Sequence, residues 1–139
     1  MTLRYSAGFL DRLYSTGSIY DLWSELSTIE RHHSLPKGSW TFCRLVEWFS
    51  ASRSGIWTYY EATPLSQQEQ LVGELDAFLD LAGIARYYRL GMATWASEKE
   101  IQQIDKWIRQ QEQTIESALI RLARGERELI ENWNGSPRS

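Results

Sequence analysis

The chain has 139 residues, 42% of them hydrophobic and 24% charged, enough to form a core without disulfides or metals. Its 15 Lys and Arg against 18 Asp and Glu give a net charge of −3 at pH 7, which argues against a strongly basic nucleic-acid-binding surface. The lone Cys43 excludes an internal disulfide, no stretch approaches the ~18 apolar residues of a membrane span, and Met1 to Leu10 lack the basic start and apolar run of a signal peptide. One soluble, cytoplasmic domain over 1–139 is the expectation, and seven Trp with seven Tyr require a core rich in aromatic rings.

A first helix is predicted from Ser18, whose hydroxyl can cap backbone N–H groups while Asp21 faces the positive helix end. Ile19, Leu22, Trp23, Leu26 and Ile29 recur at three- and four-residue steps, the spacing of one buried face, and the helix should end near His32. Residues 33–39 contain Pro36 and Gly38 and read as a turn, with Gly38 able to take positive φ. A second helix is predicted from Trp40 to Ala51, with Phe42, Leu45, Val46 and Phe49 inward and Trp48 widening the apolar face.

Ser54 to Tyr60 has the β-branched and aromatic composition of a strand. No second strong strand is present to pair with it, so a short helix or irregular aromatic segment is expected instead. Thr63-Pro64 is a helix entry, and Ser66 with Glu69 fits a capping box ahead of the stripe Leu71, Val72, Leu75, Phe78 and Leu79. Gly83 should stop or bend that helix, with further helical turns over Ile84 to Met92. The longest element is predicted from Ser97, capped through Glu100, and to continue past Gly125 so that Leu129, Ile130 and Trp133 still pack on the body. Ile101, Ile104, Ile108, Ile115 and Leu122 fit a heptad seam, with Gln111 and Ala118 its weaker members; it can be buried within the chain or against a second copy. Residues 134–139 read as a frayed tail. The fold expected is therefore all-α, a single-domain bundle of five to seven helices with a long C-terminal helix.

Chemistry is sparse along the chain. His32 and His33 are adjacent, so on a helix their side chains diverge by about 100° and do not share a metal as an i, i+4 pair can. A helix-terminal role suits them better. Cys43 beside Phe42 reads as a buried thiol; its alternative is a nucleophile served by one of the histidines, for which the sequence supplies no oxyanion hole or orienting partner. No phosphate loop, dinucleotide glycine pattern or serine elbow is present. No catalytic residue, metal ligand or cofactor is therefore expected.

Charge placement carries more information. From Glu61 to Asp80 there are five acids, Glu61, Glu69, Glu74, Asp76 and Asp80, and no Lys or Arg. Glu69, Asp76 and Asp80 fall opposite the core stripe on a helical wheel. Water alone satisfies such a face; as an interaction surface, its carboxylates would attract a protein that is itself basic. Trp57, Tyr59 and Tyr60 lie in a polar, Gly-containing segment, and Trp and Tyr are the residues that anchor interfaces.

The run Leu45-Val46-Glu47-Trp48, followed by Arg53-Ser54-Gly55-Ile56-Trp57-Thr58-Tyr59-Tyr60, resembles the aromatic signature of a small all-α bacterial family that includes a DNA-mimic protein. The Tyr20-Asp21-Leu22-Trp23 helix before it and the Leu71 to Leu90 helices after it stand in a compatible order, so the likeness spans about residues 18–92. A Gly pair expected in that signature is here Ser54-Gly55. The resemblance implies an all-helical fold, no cofactor and, for the mimic itself, binding of a DNA-binding regulator through acidic surface. Three readings follow. One is a non-enzymatic module presenting Glu69, Asp76 and Asp80 to a basic protein partner, with no direct nucleic acid or membrane contact. Another is an immunity-type inhibitor or adaptor anchored by Trp57 and Tyr60, and the third an enzyme built on Cys43. A homodimer through the helix from Glu98 onward is compatible with each.

Overall fold

The computed structural model describes residues 7–131, and these are all-helical, with no strand. In chain order the elements are α1 (Ala7–Thr16), α2 (Ile19–Glu30), α3 (Lys37–Ala51), α4 (Trp57–Ala62), α5 (Leu65–Leu75), a 3-10 turn (Leu79–Leu81), α6 (Ala82–Thr94), α7 (Glu98–Gln110), α8 (Glu112–Arg124) and α9 (Arg127–Glu131). Nine α-helices among the described residues exceed the expected five to seven. The excess comes from α1, which buries Leu10 and Tyr14, and from the division of the C-terminal segment. No described helix is long and apolar enough to cross a membrane. The expectations for Trp133 and for the tail 134–139 fall outside the described residues.

The chain forms two compact units, Met1–Val46 with Leu119–Ser139, and Glu47–Ala118. In the first unit, α2 opens on the expected cap. The Asp21 N–H donates to Ser18 Oγ at 3.2 Å, and the Ser18 N–H returns a bond to Asp21 Oδ2 at 2.9 Å. Behind this capping box Ile19, Leu22, Leu26 and Ile29 are buried, the stripe that the three- and four-residue spacing indicates. Helix α3 starts at Lys37 rather than Trp40, because its start is capped from far along the chain: Glu126 Oε1 accepts the Ser39 N–H at 2.5 Å and the Ser39 hydroxyl at 3.1 Å. Gly38 therefore lies inside the helix and not in a positive-φ turn. A Cβ on Gly38 would sit 2.7 Å from Glu126 Cδ, so the glycine is what lets the carboxylate approach. At the other end of this unit, Arg124 Nε and Nη2 donate to the Tyr14 and Ser15 carbonyls at 2.6 and 3.2 Å, satisfying the last turn of α1 as a cation does best.

The second unit is organised around aromatic rings. Residues 57–62 are helical, as the lack of a pairing strand required. Gly55 takes φ +109°, the left-handed region that favours glycine, and the Ile56 N–H that follows donates to Asp105 Oδ1 at 3.1 Å. Trp48 Nε1 donates to the Tyr60 hydroxyl at 2.9 Å, which itself donates to the Tyr88 carbonyl at 2.8 Å, while the Tyr59 and Tyr88 hydroxyls share a bond of 2.6 Å. Tyr60 lies directly on Gly91, where a Cβ would come within 2.2 Å of the ring. Buried Gln68 ties the end of α4 to α5, its Nε2 donating to the Tyr60 and Thr63 carbonyls at 3.2 and 2.9 Å.

Helix α5 follows Pro64 directly, and no side chain caps it; the expected Ser66–Glu69 box is absent because the helix begins one residue before Ser66. It ends at Leu75, and α6 then runs through Gly83 instead of stopping there. The long C-terminal helix is likewise three helices. Gln111 leaves helical geometry at φ −108°, ψ 18°, and a second break falls at Gly125–Glu126. The physical reason lies in the seam: exposed Gln111 offers no apolar contact to hold the turn, and Ala123 rather than Leu122 occupies the buried position beyond it.

Candidate interaction surface

Helix α5 buries Gln68, Leu71 and Leu75. At 3.6 residues per turn, Leu65, Glu69, Gly73 and Asp76 then fall within about 80° of one another on the remaining circumference. All four are exposed, Leu65 at 60%, and a Cβ placed on Gly73 would meet nothing within 4 Å. Asp76 forms an ion pair with Arg89 in which both side chains stay largely in water, at 59% and 47% exposure. Such a pair exchanges at little cost. Past the helix end, the 3-10 turn holds Leu79 outward at 92% exposure, with exposed Asp80 next to it. The sequence placed Leu79 in the buried stripe; the early end of α5 at Leu75 breaks the helical phase and turns it outward.

The two expected aromatic anchors separate. Trp57 is 44% exposed, whereas Tyr60 is 3% exposed and occupied within the Trp48–Tyr60–Tyr88 network. Tyr60 is thus a core residue and not a surface anchor, and no local pattern distinguishes it from Trp57. Burial pushes the Tyr60 and Tyr88 phenols far above the ordinary tyrosine value of 10.0, so both remain neutral hydrogen-bonding groups. Burial also raises the Asp105 carboxyl, against the lowering effect of the Ile56 N–H and nearby Arg109.

Cys43 is wholly buried, His33 nearly so, and His32 is exposed. His33 Nδ1 has no hydrogen-bond partner among the described residues. Among the described residues no group of three His, Cys, Asp or Glu side chains is placed to hold a metal ion. In the first unit a shallow cavity of about 440 Å³ is lined by Tyr14, Ser15, Arg124 and Arg127, with Arg127 also paired to Asp11.

Charge is unevenly divided between the units. The segment Glu47–Ala118 holds eleven acidic and six basic residues, a net −5, while the described remainder, residues 7–46 and 119–131, holds seven of each and is neutral. The modest total of −3 conceals this asymmetry. No Lys, Arg or His occurs from Ser54 to Ala85, and three of the four exposed large apolar side chains among the described residues, Trp57, Leu65 and Leu79, lie in that same stretch. No protein-family model matches the chain, and no curated protein or solved structure shows significant similarity to it.

Proposed function

We propose that the chain is a non-enzymatic, cytoplasmic protein-interaction module that presents the outer face of α5 and the Leu79–Asp80 turn to a basic protein partner. The observation that carries this reading is a coincidence of two kinds of exposure. Over Ser54 to Ala85 every charged side chain is acidic, and the same stretch contains three of the four exposed large apolar residues described. Carboxylates draw a basic partner and set its orientation, and desolvated apolar groups supply the affinity. The likeness of residues 18–92 to a family that includes a DNA mimic supports a DNA-binding regulator as that partner. The net −5 of Glu47–Ala118 supports it more strongly than the charge of the whole chain does. Trp57 is the half-exposed aromatic of the same stretch of chain, and Asp76 joins the surface once Arg89 is displaced.

The test is capture from nuclease-treated extract of the source cells, with wild-type protein and a Glu69→Gln/Asp80→Asn variant compared at low and raised salt. A basic protein held by the wild type, released by salt and lost with the variant is the expected result. A partner retained equally by both proteins would favour the aromatic-anchor reading through Trp57, and its loss on Trp57→Ala would then establish that reading.

A further inference from the structure

We propose that the hollow between the end of α6 and the start of α7 seats an arginine side chain of a basic protein segment, with Trp95 as its stacking partner and Glu100 as its counter-ion. The hollow, of about 500 Å³, is lined by Ala93, Thr94, Trp95, Ala96, Ser97 and Glu100. The turn that shapes it is closed by the Ser97 N–H, which donates to the Thr94 carbonyl at 2.8 Å. Trp95 and Glu100 are both partly exposed. The choice of a basic occupant rests on the basic-partner reading, but these residues are separate from the α5 face and the Leu79–Asp80 turn.

The charges around the hollow select a cation. Glu100 is the one ionisable side chain that lines it. Ser97 Oγ caps no backbone N–H and donates instead to Glu100 Oε2. That bond fixes the carboxylate and, with the Glu100 N–H, holds its carboxyl below the ordinary value, so the group is ionised at neutral pH. A carboxylate accepts more than one hydrogen bond, and the serine does not exhaust it. Helix α6 ends here with no basic residue in its last turn, which leaves its negative pole without a cation of its own, whereas the positive pole of α7 is met by Glu98 and Glu100. Lys99 is exposed and is not among the lining residues.

Within the unit of net −5, a guanidinium fits this hollow better than an ammonium. Its plane stacks on an indole while its fork meets a carboxylate, and an ammonium offers neither the plane nor the fork.

The test is heteronuclear NMR of the isotope-labelled full chain, titrated with a blocked Gly-Arg-Gly peptide and with its citrulline and lysine counterparts. The arginine peptide should move the Trp95 indole N–H and the Ser97 and Glu100 backbone N–H signals saturably, with an affinity that falls as salt is raised. The citrulline peptide, alike in shape but uncharged, should leave them in place, and the lysine peptide should bind several-fold more weakly. Glu100→Gln keeps an oxygen to accept the Ser97 hydroxyl and removes only the charge, so it should weaken binding roughly fivefold or more with circular dichroism unchanged. Trp95→Leu should weaken it roughly threefold or more. Shifts that never saturate, an equal response to the citrulline or lysine peptide, or indifference to both variants overturns the proposal. Because the probe is a defined peptide, failure to capture a basic protein through Glu69 and Asp80 would leave this result standing, and a hollow indifferent to arginine would leave the capture result standing.

Discussion

Glu126 caps a helix 87 residues earlier in the chain by accepting both the backbone N–H and the hydroxyl of Ser39. Glu126→Ala should cost about 1–2 kcal/mol, the usual worth of a lost cap with a part-buried donor left over, as read by urea denaturation. A change indistinguishable from zero would mean that water replaces the carboxylate. Tyr60 is the corresponding residue in the second unit. Tyr60→Phe keeps the ring on Gly91 but strands Trp48 Nε1, and should cost about 1–3 kcal/mol. Because burial raises the Tyr60 and Tyr88 phenols above their ordinary 10.0, the unfolded chain loses these protons first. Stability is thus fully present below pH 10 and falls as pH rises beyond it. Far-UV circular dichroism during an alkaline titration should show helix lost with tyrosine ionisation; helix retained after all the tyrosines ionise would contradict the buried network.

At the scale of elements, what could be read from the sequence was what is local. The Ser18–Asp21 box, the buried stripe of α2 and the helical state of residues 57–62 each rest on residues within one or two turns of each other, or on the lack of a partner strand. What could not be read depends on distant residues. The early start of α3 is set by Glu126, and nothing near Lys37 announces it. The inward fate of Tyr60 and the half-exposed fate of Trp57 are decided by Trp48, Tyr88 and Gly91, since the composition of the segment suits both. The break at Gln111 was legible only as a weak position in the heptad. Of the candidate surface, the acidic stretch is legible in the sequence, whereas Leu79 reads as a core position because the end of α5 at Leu75 has no sequence signal as clear as Gly83, through which α6 in fact passes. Gly73 gives a direct check on the exposed face of α5. A Cβ there meets nothing, so Gly73→Ala should stabilise the protein by about 0.5–1 kcal/mol through helix propensity alone. Destabilisation would place a neighbour over that face.

Across the whole molecule, segregated charge and exposed apolar groups converge on one stretch of chain. A net −3 spread evenly would steer nothing, but −5 on Glu47–Ala118 gives the second unit a field that attracts basic proteins and weakens with salt. The most direct test of the proposed surface is site-specific photo-cross-linking in extract of the source cells. The photoreactive residue replaces Gly73 on the exposed face of α5 in one protein, and exposed Thr28 on α2 in the other. The account expects a basic protein to be cross-linked from position 73, not from position 28, and to disappear when Leu79→Ser and Asp80→Asn are added. A product from position 73 that survives those two substitutions, or no product there at all, would contradict it.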